Sequence, residues 1–175
     1  MEKAIVERIR RVKLVVFDVD GVLTDGTIYL MPDGREIKAF NALDGAGLKY
    51  LERAGIATAV LSGRRSAAVK YRAREVGMRY VLQGYKRKLE GLARLERRCK
   101  VPPGEMCYVG DDLPDIPVMG KVGFAVAVAG ARPEVIRAAH WVTGQSGGRG
   151  AAREVAEMVL KTQGKWRSII ARYGL

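Results

Sequence analysis

The stretch Val12-Lys13-Leu14-Val15-Val16-Phe17 (VKLVVF), followed at once by Asp18-Val19-Asp20-Gly21, decides how the rest of the chain is read. A continuous apolar run rich in β-branched residues that stops at acidic residues reads as a strand buried on both faces, with a polar loop at its carboxyl end. The same pattern returns along the 175 residues. Ile56–Leu61 (IATAVL) ends at Ser62-Gly63-Arg64, Arg79–Leu82 at Gln83-Gly84, and Met106–Val109 at Gly110-Asp111-Asp112. Gly123–Val128 and a short Trp141–Val142 run follow. Helical spacing fills the intervals near 45–54, 65–76, 87–98, 113–119 and 133–138, and again from 151 onward; Leu89, Leu92, Ala93 and Leu95 show the i, i+3, i+4 pattern. Buried strands separated by helices predict an α/β fold, a doubly wound parallel sheet with helices on both faces.

One segment breaks the alternation. Thr27–Leu30 and Arg35–Phe40 flank Met31-Pro32-Asp33-Gly34, whose Asp-Gly pair signals a turn, so a β-hairpin over about 27–40 is expected between the first strand and the first helix. No linker, repeat or low-complexity tract interrupts the chain, which is read as a single domain over 1–175 with a C-terminal helix and tail over about 151–175.

Composition narrows the class. With 48% hydrophobic and 29% charged residues the chain can bury a substantial core. Cys99 and Cys107 form no C-x-x-C pair and read as reduced thiols, which points to the cytoplasm. Met1–Arg11 is charged and amphipathic with no apolar stretch behind it, so no secretory signal is expected. Val122–Ala131, the most apolar stretch, is too short to cross a membrane. The net charge of +12 is concentrated: residues 64–100 hold 13 basic and 3 acidic side chains, whereas residues 1–63 hold 9 of each. A solvated arginine-rich surface, steering of an anionic substrate and nucleic-acid binding all fit such a segment. No zinc-finger, homeodomain or RNP-type pattern accompanies it, so neither a nucleic-acid nor a membrane partner is expected.

In an open parallel sheet, ligands bind beyond the carboxyl ends of the strands. There this chain carries Asp18 and Asp20, then Ser62 and Gly63, then Lys86 and Lys88, then Asp111 and Asp112. Taken singly, each has a bland explanation: a turn, a helix cap, a solvated lysine. Together they are harder to explain, because adjacent buried carboxylates are costly without a cation. Several carboxylates and no His or Cys cluster favour a hard, oxygen-liganded ion such as Mg2+, which binds one or two carboxylates together with a substrate phosphate. A serine hydroxyl, a Gly63 N–H and a lysine ammonium suit the remaining phosphoryl oxygens, and an aspartate can serve as a covalent nucleophile toward phosphorus. His140, the sole histidine, lies away from these strand ends and reads as a surface or sheet-edge residue.

The motifs carry a resemblance. Asp18-Val19-Asp20-Gly21-Val22-Leu23-Thr24-Asp25-Gly26 resembles the DxDGx(L/V)TD motif of the haloacid dehalogenase superfamily of phosphatases; Leu61-Ser62-Gly63-Arg64 resembles its second motif, and Gly110-Asp111-Asp112-x-x-Asp115 its fourth. Lys38-Ala39-Phe40-Asn41-x-x-Asp44-Gly45-x-Gly47, Gln83-Gly84, Val118-Met119 and Gly147-Gly148-Arg149-Gly150-Ala151-x-Arg153-Glu154 are similar to one branch, the 3-deoxy-D-manno-octulosonate 8-phosphate phosphatases, over about residues 12–160. The resemblance implies that Asp18 is the nucleophile and Asp20 the general acid and base. It implies that Asp18, the backbone carbonyl of Asp20 and Asp111 ligate Mg2+, with Asp112 and Asp115 supporting them. Ser62, Gly63 and a lysine would bind the phosphoryl group; family spacing selects Lys88, with Lys86 as the fallback. Arg64, Arg149 and Arg153 are candidates for a sugar-acid carboxylate. Tyr85-Lys86-Arg87 departs from the smaller neutral residues of that branch, which bears on the substrate.

About forty residues separate Asp20 from Ser62, room for the hairpin and one helix but for no cap domain. Water exclusion then falls to an oligomer, and the resemblance implies a homotetramer in which hairpins associate and neighbouring chains complete each site. The amphipathic run Trp166–Tyr173 either covers a neighbour's site or packs on its own subunit. The expected activity is Mg2+-dependent hydrolysis of 3-deoxy-D-manno-octulosonate 8-phosphate, a step toward bacterial lipopolysaccharide. The alternatives are a phosphatase for a nine-carbon, sialic-acid-type sugar phosphate and a catalytically silent oligomeric binding module.

Overall fold

Six parallel strands form the central sheet of the computed structural model, which describes residues 2–174. They are β1 (Leu14–Phe17), β4 (Ala57–Ser62), β5 (Tyr80–Gln83), β6 (Met106–Gly110), β7 (Phe124–Ala129) and β8 (Trp141–Ser146), laid side by side in the order β5-β4-β1-β6-β7-β8. The chain builds outward from β1 to one edge, returns, and builds outward from β6 to the other. β1 and β6 therefore flank the point where the winding direction reverses, where an α/β sheet opens a crevice. Their register is direct, Leu14 beside Met106 and Phe17 beside Val109, and the Asp18 N–H extends the ladder by donating to the Val109 carbonyl at 3.0 Å. The loops after the two strands thus begin side by side.

The apolar runs became strands because both faces are covered: every residue of β1, β4 and β6 is buried. The helices are α1 (Lys3–Arg10), α2 (Ala42–Arg53), α3 (Ala67–Val76), α4 (Lys88–Cys99), α5 (Ile116–Met119), α6 (Pro133–Ala138), α7 (Ala151–Thr162) and α8 (Trp166–Ile170). The hairpin is present but shorter than its sequence signal: β2 (Tyr29–Leu30) and β3 (Glu36–Ile37) pair antiparallel around a turn at Gly34, whose φ of +81° suits glycine.

Several boundaries differ from the sequence reading. α2 starts at Ala42 rather than near 45, because the Asn41 Oδ1 accepts from the Leu43 and Asp44 N–H groups at 2.7 and 3.3 Å. Its two glycines mark close packing: a Cβ on Gly45 would lie 2.2 Å from an Arg72 nitrogen, and one on Gly47 2.9 Å from the Arg153 Cα. β8 runs on to Ser146, beyond the Trp141–Val142 run, because the Glu154 carboxylate accepts from the Gly144 and Gln145 N–H groups at 3.0 and 2.9 Å. The segment 113–119 divides into a 3-10 turn, Leu113–Asp115, and α5. α1 adds a helix where the sequence suggested only amphipathic character; Ile9 is its buried anchor. The C-terminal helix and tail are α7, α8 and a 3-10 turn over Ala171–Tyr173, with Leu175 outside the described residues. No large insertion interrupts the sheet, and among the described residues no helix is long and apolar enough to cross a membrane.

Candidate active site

The loop after β1 turns tightly on itself: the Val19 carbonyl accepts from the N–H groups of Val22, Leu23 and Thr24 at 2.9 to 3.2 Å. Gly21 makes this possible, with a φ of +88° and no side chain; a Cβ there would stand 2.0 Å from the Asp111 Oδ2. The Gly147-Gly148 turn presses on the same loop, its Gly148 N–H donating to the Val22 carbonyl at 2.9 Å. Glycine is again needed: a Cβ on Gly147 would fall 1.7 Å from the Gly21 carbonyl oxygen. The Gly147-Gly148 turn is thus a buttress for the acidic loop.

This packing gathers side chains that are remote in sequence. Asp18, Asp111 and Asp115 each offer a carboxylate oxygen within 4.8 Å of the others. The Lys88 Nζ, at the first residue of α4 and almost wholly buried, lies 2.7 Å from the Asp18 Oδ2 and 2.5 Å from the Asp115 Oδ1. Asp115 is fully buried and saturated: its Oδ1 also accepts from the Tyr108 hydroxyl at 2.6 Å, and its Oδ2 from the Asp111 and Asp112 N–H groups at 2.9 and 3.1 Å. A cleft of about 400 Å³ opens on this cluster, lined by Asp18, Asp20, Ser62, Gly63, Lys88 and Asp111. Ser62 is buried at the end of β4, and its Oγ accepts from the Arg64 N–H at 3.2 Å; the cap of α3 is Ser66 instead. Lys86 is exposed at the cleft's rim, so of the two lysines only Lys88 meets the carboxylates.

The electrostatics follow from burial. Burial pushes the Asp18 carboxyl up to about 6 against the pull of Lys88, with Asp115 adding repulsion. Asp111 rises to about 7 through burial and the repulsion of Asp18 and Asp115. Burial alone would lower the Lys88 ammonium, but Asp18 and Asp115 outweigh it and hold the value above that of an ordinary lysine. The Asp111 Oδ1 is buried without a hydrogen-bond partner. One ammonium among three carboxylates, two of them buried and the third half-buried, with one oxygen orphaned, is a donor set that suits a hard divalent cation. Asp115 has no free oxygen to give, so Asp18, Asp111 and a backbone carbonyl such as that of Asp20 are the groups left to hold such an ion.

The remaining expected residues sort by position. Asp112 is exposed; its side chain accepts from the Leu113 N–H at 2.8 Å and caps the turn that carries Asp115. Arg64 reaches back over the cleft, with its Nε 3.6 Å from the Asp20 Oδ2 and its Nη2 3.1 Å from the Glu36 Oε2. Arg149 is exposed at the rim of an adjoining cleft, 3.9 Å from the Asp25 Oδ2. Arg153 is a correction: it stacks over Tyr50, 4.8 Å from the ring centroid, and pairs with Glu157 at 2.7 Å, because the close approach at Gly47 turns it toward α2. The Trp166–Tyr173 run packs on its own chain, with Ile169 buried and the Tyr50 and Tyr173 hydroxyls 3.1 Å apart. His140 sits at the start of the edge strand, its Nδ1 accepting from the Ala125 N–H at 2.8 Å. Sequence reading assigned no role to Tyr108, hidden in an apolar run, or to Glu36 and Lys38 of the hairpin; the Lys38 ammonium pairs with the Asp20 Oδ1.

Comparison with known proteins agrees with this geometry. Residues 35–123 match the family model of haloacid dehalogenase-like hydrolases. The 3-deoxy-D-manno-octulosonate 8-phosphate phosphatases of Yersinia pestis and Escherichia coli are each 42% identical over 161 residues, covering 92% of this chain and 86% of theirs. The crystal structure of the Moraxella catarrhalis phosphatase of that name, in complex with a magnesium ion, a phosphate ion and a KDO molecule, superposes with a TM-score of 0.95 at 36% identity, covering 99% of both chains. The chain belongs to the haloacid dehalogenase-like hydrolases, in the branch of the 3-deoxy-D-manno-octulosonate 8-phosphate phosphatases.

Proposed function

We propose that this chain is a Mg2+-dependent phosphatase that hydrolyses 3-deoxy-D-manno-octulosonate 8-phosphate to the free sugar acid and phosphate through an aspartyl-phosphate on Asp18. The observation that carries the reading is the meeting of Asp18, Asp111 and Lys88 at the reversal point of the sheet, with a buried Asp111 oxygen left unpaired. Mg2+ bound by Asp18, Asp111 and the Asp20 carbonyl supplies positive charge against the phosphoryl group and the carboxylates that surround it.

The chain's own residues do the rest. Ser62, Gly63 and Lys88 hold the phosphoryl oxygens, and Lys88 orients the Asp18 carboxylate through its 2.7 Å contact. An Asp18 oxygen bonds to phosphorus as the bond to the sugar oxygen breaks, and Asp20 gives its proton to that departing oxygen. Asp20, now a carboxylate, takes a proton from the water that attacks the phosphoryl group; phosphate leaves and Asp18 is restored. Asp115 and Tyr108 fix Lys88 from behind, and Asp112 caps the turn that presents Asp115. Arg64 at the cleft mouth offers a guanidinium to the sugar-acid carboxylate.

The chain acts as one catalytic domain in the cytoplasm, on a precursor of bacterial lipopolysaccharide. With no cap over the cleft, a homotetramer completes the site. Its support is the apolar exposure of the hairpin, where Ile28, Tyr29, Leu30, Met31 and Ile37 all reach solvent. The test is phosphate release across sugar phosphates, with and without Mg2+, for the wild type and Asp18→Asn. The octulosonate ester should turn over fastest, and Asp18→Asn should stay folded and inactive. Faster release from a nine-carbon sugar-acid phosphate overturns the substrate, and Mg2+-dependent turnover by Asp18→Asn overturns the nucleophile.

A further inference from the structure

The short strand β3 runs into the sequence Glu36-Ile37-Lys38, and its side chains alternate as a strand requires. Ile37 stands 56% exposed on the outer side, while Glu36 and Lys38 turn inward. The Lys38 side chain is 1% exposed, an unusual position for an ammonium on a surface hairpin. Its Nζ bonds to the Asp20 Oδ1 and lies 3.7 Å from the Glu36 Oε2, while Arg64 bridges the Asp20 Oδ2 and Glu36 from the solvent side. Glu36 keeps this place although its Oε1 is buried with no partner. Burying such a group is costly, and the hairpin's own pairing does not need it. The four charges close a ring whose member on the cleft is Asp20.

We propose that Lys38, oriented by Glu36, is a positioning residue for the proton transfer by Asp20: it holds one carboxyl oxygen of Asp20 so that the other stays aimed into the cleft. The inference rests on the role given to Asp20 above. Lys38 itself does not line the cleft and meets the reaction through the Asp20 Oδ1. Its removal should therefore slow the step in which the leaving oxygen needs a proton and leave binding of the phosphate alone.

The experiment compares Lys38→Met and Lys38→Gln with wild type on two esters, the sugar-acid phosphate, whose alkoxide must be protonated as it leaves, and p-nitrophenyl phosphate, whose leaving group departs as a stable anion. On the sugar phosphate, kcat/KM should fall about 100-fold, the size of a general-acid contribution, with the loss in kcat and KM within about threefold of wild type. On the aryl ester the loss should stay under about fivefold. Lys38→Arg should recover most of the activity, and Glu36→Gln should show the same pattern in weaker form. Equal losses on both esters, a loss carried in KM, or no loss overturn the positioning role while leaving the phosphatase reading intact. A wild type that releases no phosphate from either ester overturns that reading itself.

Discussion

Replacing Lys88 with methionine tests the central cluster most severely. The substitution keeps the volume of the aliphatic stem and removes the one ammonium that touches both Asp18 and Asp115. Breaking a buried ion pair from one side costs about 3–5 kcal/mol. The lower end applies here, because Asp115 keeps the Tyr108 hydroxyl and two backbone N–H donors. Unfolding entropy of about 2.1 cal/mol/K per residue converts about 3 kcal/mol into a Tm loss of roughly 8 °C for a chain of this length. The loss should depend on pH. Asp18 and Asp111, held near 6 and 7 in the metal-free fold, lie above the unfolded carboxyl value of 3.8. Raised carboxyl values favour the fold while the groups carry protons, and that advantage disappears as pH rises through the folded values. Without Lys88 the carboxylates repel more strongly, so the gap between wild type and variant should be small at pH 5 and full at pH 8. Thermal unfolding followed by circular dichroism in EDTA at both pH values measures it, with Lys86→Met as the exposed control that should shift Tm by less than about 1.5 °C. In phosphate-release assays Lys88→Met should lose at least about 100-fold in kcat/KM and Lys86→Met less than about threefold. A gap that does not change with pH, or a larger loss at Lys86, refutes the reasoning.

Three further outcomes are expected. Mg2+ should stabilise the fold by about 2.7 kcal/mol at a hundred times its Kd, and at a fixed concentration it should raise Tm more at pH 8 than at pH 5, since binding must displace protons from Asp18 and Asp111; equal shifts in differential scanning fluorimetry at both pH values count against a carboxylate site. Gly21→Ala and Gly34→Ala both force alanine into left-handed backbone, at about 1 kcal/mol each. Only the first also drives a methyl group into the Asp111 carboxylate, so Gly21→Ala should lose at least about tenfold in Mg2+ affinity by calorimetric titration while Gly34→Ala keeps it. Leu30→Asp, at a side chain 68% exposed on the hairpin, should leave the subunit's fold intact and lower the assembly's mass in light scattering; an unchanged mass removes the hairpin from the interface.

What the sequence made legible follows from where side chains are buried. Strands covered on both faces are written as unbroken apolar runs, so β1, β4, β6 and β7 stand out, and the acidic residues that follow β1 and β6 mark the catalytic edge. β8 is half exposed and written in Thr143, Gly144, Gln145 and Ser146; only its pairing with β7 and the Glu154 carboxylate make it a strand. The start of α2 was obscured by Gly45 and Gly47, which weaken helix propensity locally and earn their place through packing with Arg72 and Arg153. In the site, Asp18 and Asp111 could be anticipated because each directly follows a strand at the sheet's carboxyl edge, whereas position alone left Lys86 and Lys88 equal and only the family spacing chose Lys88. Tyr108 could not, since a tyrosine in a buried strand looks like core until its hydroxyl is seen to meet Asp115. The Glu36-Ile37-Lys38 alternation was present in the sequence, but charged residues flanking an apolar one in a hairpin usually face water, and only the fold turns them toward Asp20.

The hairpin therefore does two things that its period-two pattern keeps apart. Its outer face is apolar at Tyr29 and Ile37, which pair across the two strands, while the face that bears Glu36 and Lys38 braces Asp20. A chain whose cleft has no cap must find rigidity near the leaving group elsewhere, and two strands of two residues each cannot provide it alone. Burying the outer face in an assembly would stiffen the same backbone that positions Lys38. Assembly through the hairpin and the alignment of Asp20 would then have one physical origin: a strand too short to hold its shape unaided, with an apolar residue on one side and the Lys38 brace on the other.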